Sequence, residues 1–423
     1  MSISYRNLAL LLGIVIPVLL PAAARADDSS FSDLAAKGKI SGDLRVYDWD
    51  NHNFYNSTTS NNTFVVGGKL KAESGEFHHF SIAAALYAAH TPGSADNVDP
   101  TLGTNINTLG ELYLNYRNDW ANLRIGRQAI ETPFANSADY RMIPALYQGA
   151  TLEINPASNY GFSFGRINRY KSWTDDDFDQ TNNETAGPFK KTGSPYENFP
   201  GQETSGFWYA SVHHDLSFSN KKLASKLWYY DFIDIARLVF LEEKMSFELE
   251  NKVKPFIGVQ YANEKSHGAA LFGTVDSTPY GLQLGADFGS NNITAAVVHI
   301  PSHSDAFNNG GLASPYTDGY GSAGLFTANM LFPTEGLGSG DAYQLFASHQ
   351  FSDSWSAWAS YNRFNQTTSD LSPANSIDEY VLSVSYTPSN IKNLKIVDML
   401  GYATVEGNSD HFVQNRLMAQ YSF

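Results

Sequence analysis

Short runs in which apolar and polar side chains alternate are the dominant pattern of this chain. The last run is the clearest: one parity holds Leu417, Ala419, Tyr421 and Phe423, and the other holds Arg416, Met418, Gln420 and Ser422. Alternate side chains of a strand point to opposite faces, so one face is apolar and the other is polar. This arrangement is typical of the closing strand of an outer-membrane β-barrel, which is apolar toward lipid and polar toward a wet lumen.

The same alternation recurs along the chain and predicts about 18 strands. Their expected spans are 37–49, 63–73, 77–89, 106–117, 120–127, 147–155, 160–170, 205–215, 222–234, 236–250, 253–263, 279–288, 292–301, 341–351, 355–364, 378–387, 394–404 and 412–423. Parity is least regular in 222–250, where Leu238 and Phe240 conflict with Val239 and Leu241.

Turns of two lengths separate these runs. Short polar turns alternate with long polar stretches at 50–62, 90–105, 128–147, 170–204, 265–278, 302–340 and 365–377. An up-and-down barrel has short periplasmic turns and long external loops, whereas a soluble sandwich has no reason to place its long loops at one end. We therefore predict an all-β, transmembrane, antiparallel up-and-down barrel over residues 37–423. A barrel of this strand number is wide enough to hold an aqueous channel.

The first 26 residues have the features of a secretory signal peptide. Arg6 is basic, Leu8 to Leu20 form an apolar run, and Ala24-Arg25-Ala26 matches the small-x-small cleavage pattern. The apolar run is too short for a comfortable helical span of about 20 residues. We expect export to the bacterial outer membrane, with residues 27–36 forming a short periplasmic segment before the barrel.

Composition supports this class and excludes others. The chain has no cysteine, 28 basic and 43 acidic residues, a formal net charge of -15 and 14% aromatic residues. The acidic balance argues against nucleic-acid binding. The absence of cysteine excludes disulfides and thiol chemistry. The aromatic content suits the interfacial girdles of a barrel.

Several cations fall on the lumen-facing parity. They are Arg45, Lys69, Lys71, Arg117, Arg124 and Arg416, and Tyr47 and Tyr113 share this parity. We hypothesise a basic track down one wall that attracts carboxylates or guides the anionic end of a zwitterion. The alternative is that these are solvated lumen cations paired with Asp43, Glu111 or Glu153.

The stretch 128–147 is too apolar for a loop that extends into solvent. It also carries Asp139 and Arg141 close together. We predict that it folds into the barrel and narrows the pore. A surface loop or a latch between subunits is the alternative interpretation.

A motif in this stretch resembles the OprD-type substrate-specific porins. It comprises Gly126-Arg127-Gln128, Thr132-Pro133, Asn136-Ser137, Asp139, Arg141-Met142, Pro144 and Gly149-Ala150, and the segments Asp43-Leu44-Arg45-Val46-Tyr47 and Tyr229-Tyr230…Asp234 are also similar. The resemblance implies an 18-stranded monomeric or loosely trimeric barrel. It implies uptake of basic amino acids, small peptides or carboxylates through an arginine-lined channel.

The resemblance also implies roles for particular residues. Arg127, Asp139 and Arg141 would belong to the constriction, and Asp234 joins the pore-lining candidates. Arg166 departs from the pattern because it shares the parity of Phe162 and Phe164. Unless Gly165 marks a bulge, we expect Arg166 to face outward near the rim.

Other functions stay open at this point. A chitooligosaccharide-type sugar porin would use Trp173, Trp208, Trp228 or Trp358 for stacking, although such residues more often belong to the interface belts. A non-conducting adhesin would use the long stretches 170–204 and 302–340. An outer-membrane hydrolase is disfavoured because no Gly-x-Ser-x-Gly motif is present.

The chain offers no predicted catalytic site, metal site or cofactor. His78-His79 and His213-His214 are adjacent pairs, and neighbours in a strand point to opposite faces, so neither pair forms a chelate. The expected partners are outer-membrane lipid, small solutes and the barrel-assembly machinery, reached through the C-terminal Phe423. Monomer and homotrimer both remain open.

Overall fold

The computed structural model describes residues 33–53, 60–92, 102, 105–182, 203–250, 252–317, 324–327, 331, 334, 337–367, 375–408 and 411–423. The predicted signal peptide and the first part of the predicted periplasmic segment lie outside the described residues. One short helix, α1 (Asp33–Ala36), precedes the strands, and its Leu34 carbonyl accepts the backbone N–H of Gly75 at 2.8 Å. In the described part of the chain, no helix has the length and apolar character to cross a membrane.

The chain is almost entirely β-structure. The strands are β1 (Lys39–His52), β2 (Asn61–Glu73), β3 (Phe80–His90), β4 (Ile106–Arg117), β5 (Ala121–Gln128), β6 (Glu131–Thr132), β7 (Ala135–Asn136), β8 (Leu146–Ala157), β9 (Tyr160–Lys171), β10 (Phe207–Phe218), β11 (Lys221–Phe232), β12 (Ala236–Phe247), β13 (Lys254–Ser266), β14 (Asp276–Ser277), β15 (Tyr280–Phe288), β16 (Asn291–Ile300), β17 (Gly340–Gln350), β18 (Trp355–Gln366), β19 (Ser376–Tyr386), β20 (Leu394–Val405) and β21 (Phe412–Ser422).

The long strands close into one antiparallel barrel of 18 strands. Each pairs with the next along the chain, and β1 pairs with β21, which removes the free edges. At the seam, Gly42 and Phe423 exchange two backbone hydrogen bonds of 3.0 Å. The predicted fold class is confirmed. Both ends of every predicted strand lie within three residues of the ends of an observed strand.

The outer surface is apolar between two bands of aromatic rings. Leu44, Leu345 and Leu400 lie exposed on this face. Tyr380 and Tyr402 lie near the external rim with ring centroids 6.2 Å apart, and Trp355 stacks on Tyr386 at 4.3 Å near the periplasmic rim. This is the surface that a lipid bilayer requires.

The parity conflict in the predicted strand 236–250 has a structural cause. Leu238 and Phe240 of β12 point inward and are buried, whereas Val239 and Leu241 point outward and are exposed. The inner face of β12 is apolar here because other parts of the chain pack against it inside the barrel. Both faces of one strand are therefore apolar without any break in register.

Two segments occupy the barrel interior. The inner loop is residues 129–145, between β5 and β8. The second inner segment comprises the described residues within 302–339, between β16 and β17. Both contribute to one buried cluster with wall residues, which includes Phe134 of the inner loop, Tyr316 of the second inner segment and Tyr230 of β11.

Candidate pore constriction and solute pathway

The inner loop crosses the lumen from one wall to the other. Phe134 packs edge-on against Tyr230 of β11 and Phe240 of β12, at 5.9 and 5.2 Å between ring centroids. Asp139 contacts Arg45 of β1, which lies nearly opposite in the ring of strands. The loop therefore divides the interior of the barrel.

Local hydrogen bonds give this loop a fixed shape. Strands β6 and β7 form a miniature hairpin, and the Ser137 N–H donates to the Ile130 carbonyl at 2.9 Å. The Ala145 N–H in turn donates to the Ser137 carbonyl at 2.9 Å. Ala138 has a positive φ of 47°, which turns the chain so that Asp139 faces β1.

Arg45 fastens the loop to the wall. Its Nη1 and Nη2 donate to the two carboxylate oxygens of Asp139 at 2.6 and 3.1 Å, and Nη1 also donates to the Arg141 carbonyl at 2.7 Å. Arg45 Nε lies 3.0 Å from Asp43 Oδ1, and the Arg45 side chain is only 4% exposed. Two carboxylates thus neutralise a buried guanidinium, and the forked geometry fixes its orientation.

A tryptophan and two arginines lie next to this contact. The guanidinium carbons of Arg416 and Arg141 lie 4.3 and 5.0 Å from the ring centroid of Trp49 on β1. Arg141 also lies 4.6 Å from the ring of Trp173, and the hydroxyl of Tyr47 donates to the Tyr140 carbonyl at 3.2 Å. These cation–π contacts hold the end of the inner loop against β1 and β21.

Two lysines continue the charged wall on β2. Lys69 Nζ lies 3.6 Å from Asp43 Oδ2, and Lys71 Nζ lies 3.0 Å from Glu111 Oε2 and 2.9 Å from the Tyr113 hydroxyl. Both side chains remain about a quarter exposed, at 26% and 22%. Part of each side chain therefore remains accessible to solvent.

The remaining predicted wall cations lie closer to the periplasmic end of the barrel. Arg124 of β5 stacks 5.3 Å from the Tyr113 ring and donates to Asn115 Oδ1 at 3.3 Å. Arg117 is exposed at the periplasmic end of β4. Arg416, Arg45, Lys69, Lys71 and Arg124 thus lie on the sector from β21 to β5.

The last two predicted site residues lie at the external end of the barrel. Arg127 of β5 stacks 4.6 Å from the Phe178 ring and donates to the Leu109 carbonyl at 3.1 Å. Phe178 is buried in a cluster with the wall residue Trp49 and the inner-loop residue Met142, so Arg127 contacts the packed interior of the barrel. Asp234 lies in the external turn between β11 and β12, where its Oδ1 accepts the Ala269 N–H at 3.1 Å. Arg166 faces outward, as expected from its parity, and lies 5.2 Å from the exposed ring of Trp208.

Sequence reasoning missed the second inner segment, which it treated as an external stretch. Wall side chains accept its backbone N–H groups: Glu264 Oε2 accepts Ala313 N–H at 2.7 Å, Gln260 Oε1 accepts Phe326 N–H at 3.1 Å and Glu379 Oε2 accepts Leu331 N–H at 3.0 Å. The two glutamates are fully buried. Inward-facing acids near the external ends of β13 and β19 were the available signal.

The barrel wall outside the cationic sector carries aromatic rings. Trp228 stacks on Tyr230 at 5.9 Å with 13° between the planes, and Trp358 stacks on Phe346 at 5.8 Å. All four side chains have the inward parity of their strands. Of the four tryptophans considered for stacking, Trp208 alone faces outward on a strand, while Trp173 is buried.

Glu131 adds a titratable group to the inner loop. The surrounding protein raises the pKa of its carboxyl, mainly by desolvation, and the nearby Asp139 charge adds to the effect. The Ser137 backbone hydrogen bond opposes this shift. Glu131 therefore accepts a proton at a higher pH than an ordinary glutamate.

A closed, lipid-facing barrel with a charged and partly occluded lumen defines a porin of the bacterial outer membrane. The family model described as outer membrane porin, OprD family, matches residues 108–328, just over half of the chain. The chain belongs to the OprD family. No curated protein matches it.

Solved porins share this fold at low sequence identity. The Pseudomonas aeruginosa OpdK structure with vanillate has a TM-score of 0.74 and 17% identity, over 92% of this chain and 99% of that one. P. aeruginosa OccK9 (OpdG) has a TM-score of 0.75 and 16% identity over the same shares. A BenF-like porin from Pseudomonas fluorescens Pf-5 has a TM-score of 0.71 and 15% identity, over 91% of this chain and 98% of that one.

Proposed function

We propose that this porin passes small solutes that carry a carboxylate, such as amino acids, small peptides or organic acids. They diffuse past the inner loop along the cationic wall, without covalent chemistry. The observation that carries the proposal is the exposure of Lys69 and Lys71 beside the point where Arg45 fastens Asp139. Arg45 is buried and neutralised by two carboxylates, whereas Lys69 and Lys71 each lie near one carboxylate and keep about a quarter of their side-chain surface exposed.

Charge complementarity supports this substrate class. A carboxylate about 4 Å from one ammonium gains on the order of 1 kcal/mol in water and about 4 kcal/mol at the effective dielectric of a protein surface. This attraction is strong enough to favour anionic solutes and weak enough for them to leave. Diffusion through a selective pore requires both. The OpdK structure, which has the same fold, contains vanillate, and vanillate is a small carboxylate.

Single-channel recording in a planar bilayer tests the proposal. We expect a small ohmic conductance that benzoate, vanillate or arginine blocks at millimolar concentration. In the double variant Lys69→Gln/Lys71→Gln, block by benzoate should weaken about 5-fold or more, which corresponds to about 1 kcal/mol. Lys392→Gln, in an exposed periplasmic turn, is the matched control and should behave as wild type. Equal block of the double variant and wild type would reject the substrate class.

Uncharged sugars are the second candidate. The inward-facing Trp228 and Trp358 favour it, because flat rings exposed to a lumen provide stacking surfaces. Chitooligosaccharides should then block the channel, and Trp358→Leu should relieve the block while leaving block by benzoate unchanged. A non-conducting adhesin is the third candidate, and any ohmic conductance rejects it.

We further propose that Phe423 is the residue through which the barrel-assembly machinery recognises the chain. Its ring is exposed on the lipid face, and its backbone pairs with Gly42 at the seam where β21 meets β1. Deletion of Phe423 should lower the amount of barrel in the outer membrane while refolding in detergent still succeeds. Since the barrel closes within one chain, a monomer suffices for conduction.

A further inference from the structure

We propose that the lipid-facing surface of β11 and β12 is an interface between two copies of this chain. We call it the Glu243 face, and it comprises Ser225 and Leu227 of β11 with Leu241 and Glu243 of β12. Glu243 of one copy meets Glu243 of the other within the bilayer. The surface lies outside the lumen, so the interface does not depend on which solute the channel passes.

The side chain of Glu243 points toward lipid. It has the parity of Val239 and Leu241, which are 41% and 36% exposed on the outer face of β12. Its partners in the sheet are Ser225 of β11 and Val259 of β13, in ladders without a register shift. Val259 is also an outward residue, at 46% exposure. A glutamate therefore interrupts the apolar outer surface of the barrel.

The depth of Glu243 puts it inside the apolar band. Phe247 ends β12 at the periplasmic rim, and Glu243 lies four residues from it and six from Arg237 near the external end. Four residues of a strand tilted by about 40° span about 10 Å of depth. Leu382 of β19, likewise four residues from a periplasmic aromatic residue, Tyr386, is 50% exposed on the outer face. Glu243 thus occupies a level at which β19 presents a leucine to lipid.

The chain itself satisfies the Glu243 carboxyl group only in part. Ser225 Oγ donates to Glu243 Oε2 at 2.5 Å, and a hydroxyl has one proton to give. Two nearby lysines, Lys226 and Lys244, have the inward parity, and Lys226 pairs with Glu242 at 2.8 Å. Ionisable side chains within a membrane are costly unless they face protein or water. Protein that covers Glu243 removes this cost.

Another outward acid, Asp398 of β20, has different surroundings. Asn415 Nδ2 donates to Asp398 Oδ1 at 2.9 Å, and Asn415 pairs with Asp50 of β1, which pairs with Asn62 of β2. These polar side chains have the outward parity of their strands and lead to the external rim. Water can follow such a row, whereas the outward neighbours of Glu243 other than its serine partner are apolar.

The geometry of a membrane favours a second copy as the partner. Two barrels side by side have the same orientation and are related by a two-fold axis along the membrane normal, so a residue and its copy lie at the same depth. A carboxyl pair that holds a proton provides both a donor and an acceptor, so Glu243 is complementary to its own copy. Small residues allow close approach of packed surfaces in membranes, and Ser225 is small.

Disulfide cross-linking in isolated outer membranes tests the proposal, because the chain has no cysteine of its own. The reporter Leu241→Cys lies beside Glu243, and the controls Leu345→Cys on β17 and Leu400→Cys on β20 lie elsewhere on the lipid face. After oxidation with copper–phenanthroline, the reporter should give a product of twice the mass of the chain. Both controls should remain monomeric. Equal cross-linking of all three, cross-linking of Leu400→Cys alone, or a product of any other mass would overturn the proposal.

The role of the carboxyl group is tested in the reporter background. Glu243→Leu should lower the cross-linked fraction about fivefold, because the polar contact across the axis is lost. Glu243→Gln should retain most of it, since two carboxamides also donate to and accept from each other. Undiminished cross-linking by a Glu243→Leu variant that keeps the heat-modifiable mobility of a folded barrel would overturn the proposal. Single-channel conductance should be the same for Glu243→Leu and wild type, so this test is separate from that of the solute pathway.

Discussion

The fork between Arg45 and Asp139 should control how firmly the inner loop stays on the cationic wall. Replacing Asp139 by Ala removes both hydrogen bonds while Arg45 keeps Asp43 and the Arg141 carbonyl. A charge-assisted pair is worth about 1.5–3 kcal/mol. Asp139 is 40% exposed, so solvent screening reduces the contribution to about 1–2 kcal/mol.

That magnitude has a direct consequence in the channel. A change of about 1–2 kcal/mol raises the population of a detached loop roughly 5- to 30-fold. We therefore expect Asp139→Ala to show more frequent and larger current fluctuations, with a higher mean conductance, in single-channel recordings. Asp139→Asn, which keeps one acceptor oxygen, should give an intermediate result.

The matched control is Asp234→Asn. Asp234 also anchors an external segment, through the Ala269 N–H, but it lies in the turn between β11 and β12. Its positive φ of 62° is one that asparagine adopts readily. The control should have the same mean conductance and current fluctuations as wild type. If Asp139→Ala has wild-type conductance and noise, Arg45 does not fasten the loop and this reasoning fails.

Three further predictions follow from particular contacts. Because the pKa of Glu131 is raised, acidification from neutral pH should remove its charge before ordinary carboxyl groups titrate. The reversal potential should then shift toward anion selectivity. Glu131→Gln should abolish this early shift. Glu264→Ala leaves the Ala313 N–H without its acceptor, at a cost of about 1–3 kcal/mol, and should increase the current noise. Glu264→Gln keeps an acceptor oxygen and should show wild-type current noise. Gly42→Val places Cβ against the Lys69 carbonyl oxygen and 2.8 Å from Phe423 Cζ, so the fraction of heat-modifiable folded barrel should fall in gel-shift assays.

Strand positions could be predicted because they depend on local alternation. The lipid face requires apolar residues at every second position, whatever the rest of the chain does, and this requirement recurs in every strand. Strand β12 shows the limit of the rule. Its inner face is apolar only because Phe134, more than a hundred residues earlier in the chain, packs against Phe240.

The candidate site could be predicted in part for the same reason. The inward direction of Arg45 and Arg416 follows from strand parity, but their partners depend on how the inner loop folds across the barrel. The contact of Arg127 with Phe178 depends on how the segment after β9 folds, which no alternation pattern reveals. The second inner segment is long and polar, so its composition resembles that of an external loop.

The reversal potential across a KCl gradient tests the central claim most directly. It should be measured for wild type and for the triple variant Lys69→Gln/Lys71→Gln/Arg124→Gln, with Lys392→Gln as the control. The cationic wall predicts that the triple variant shifts markedly toward cation selectivity and that the control does not. An unchanged reversal potential in a conducting triple variant would show that these side chains do not govern permeation.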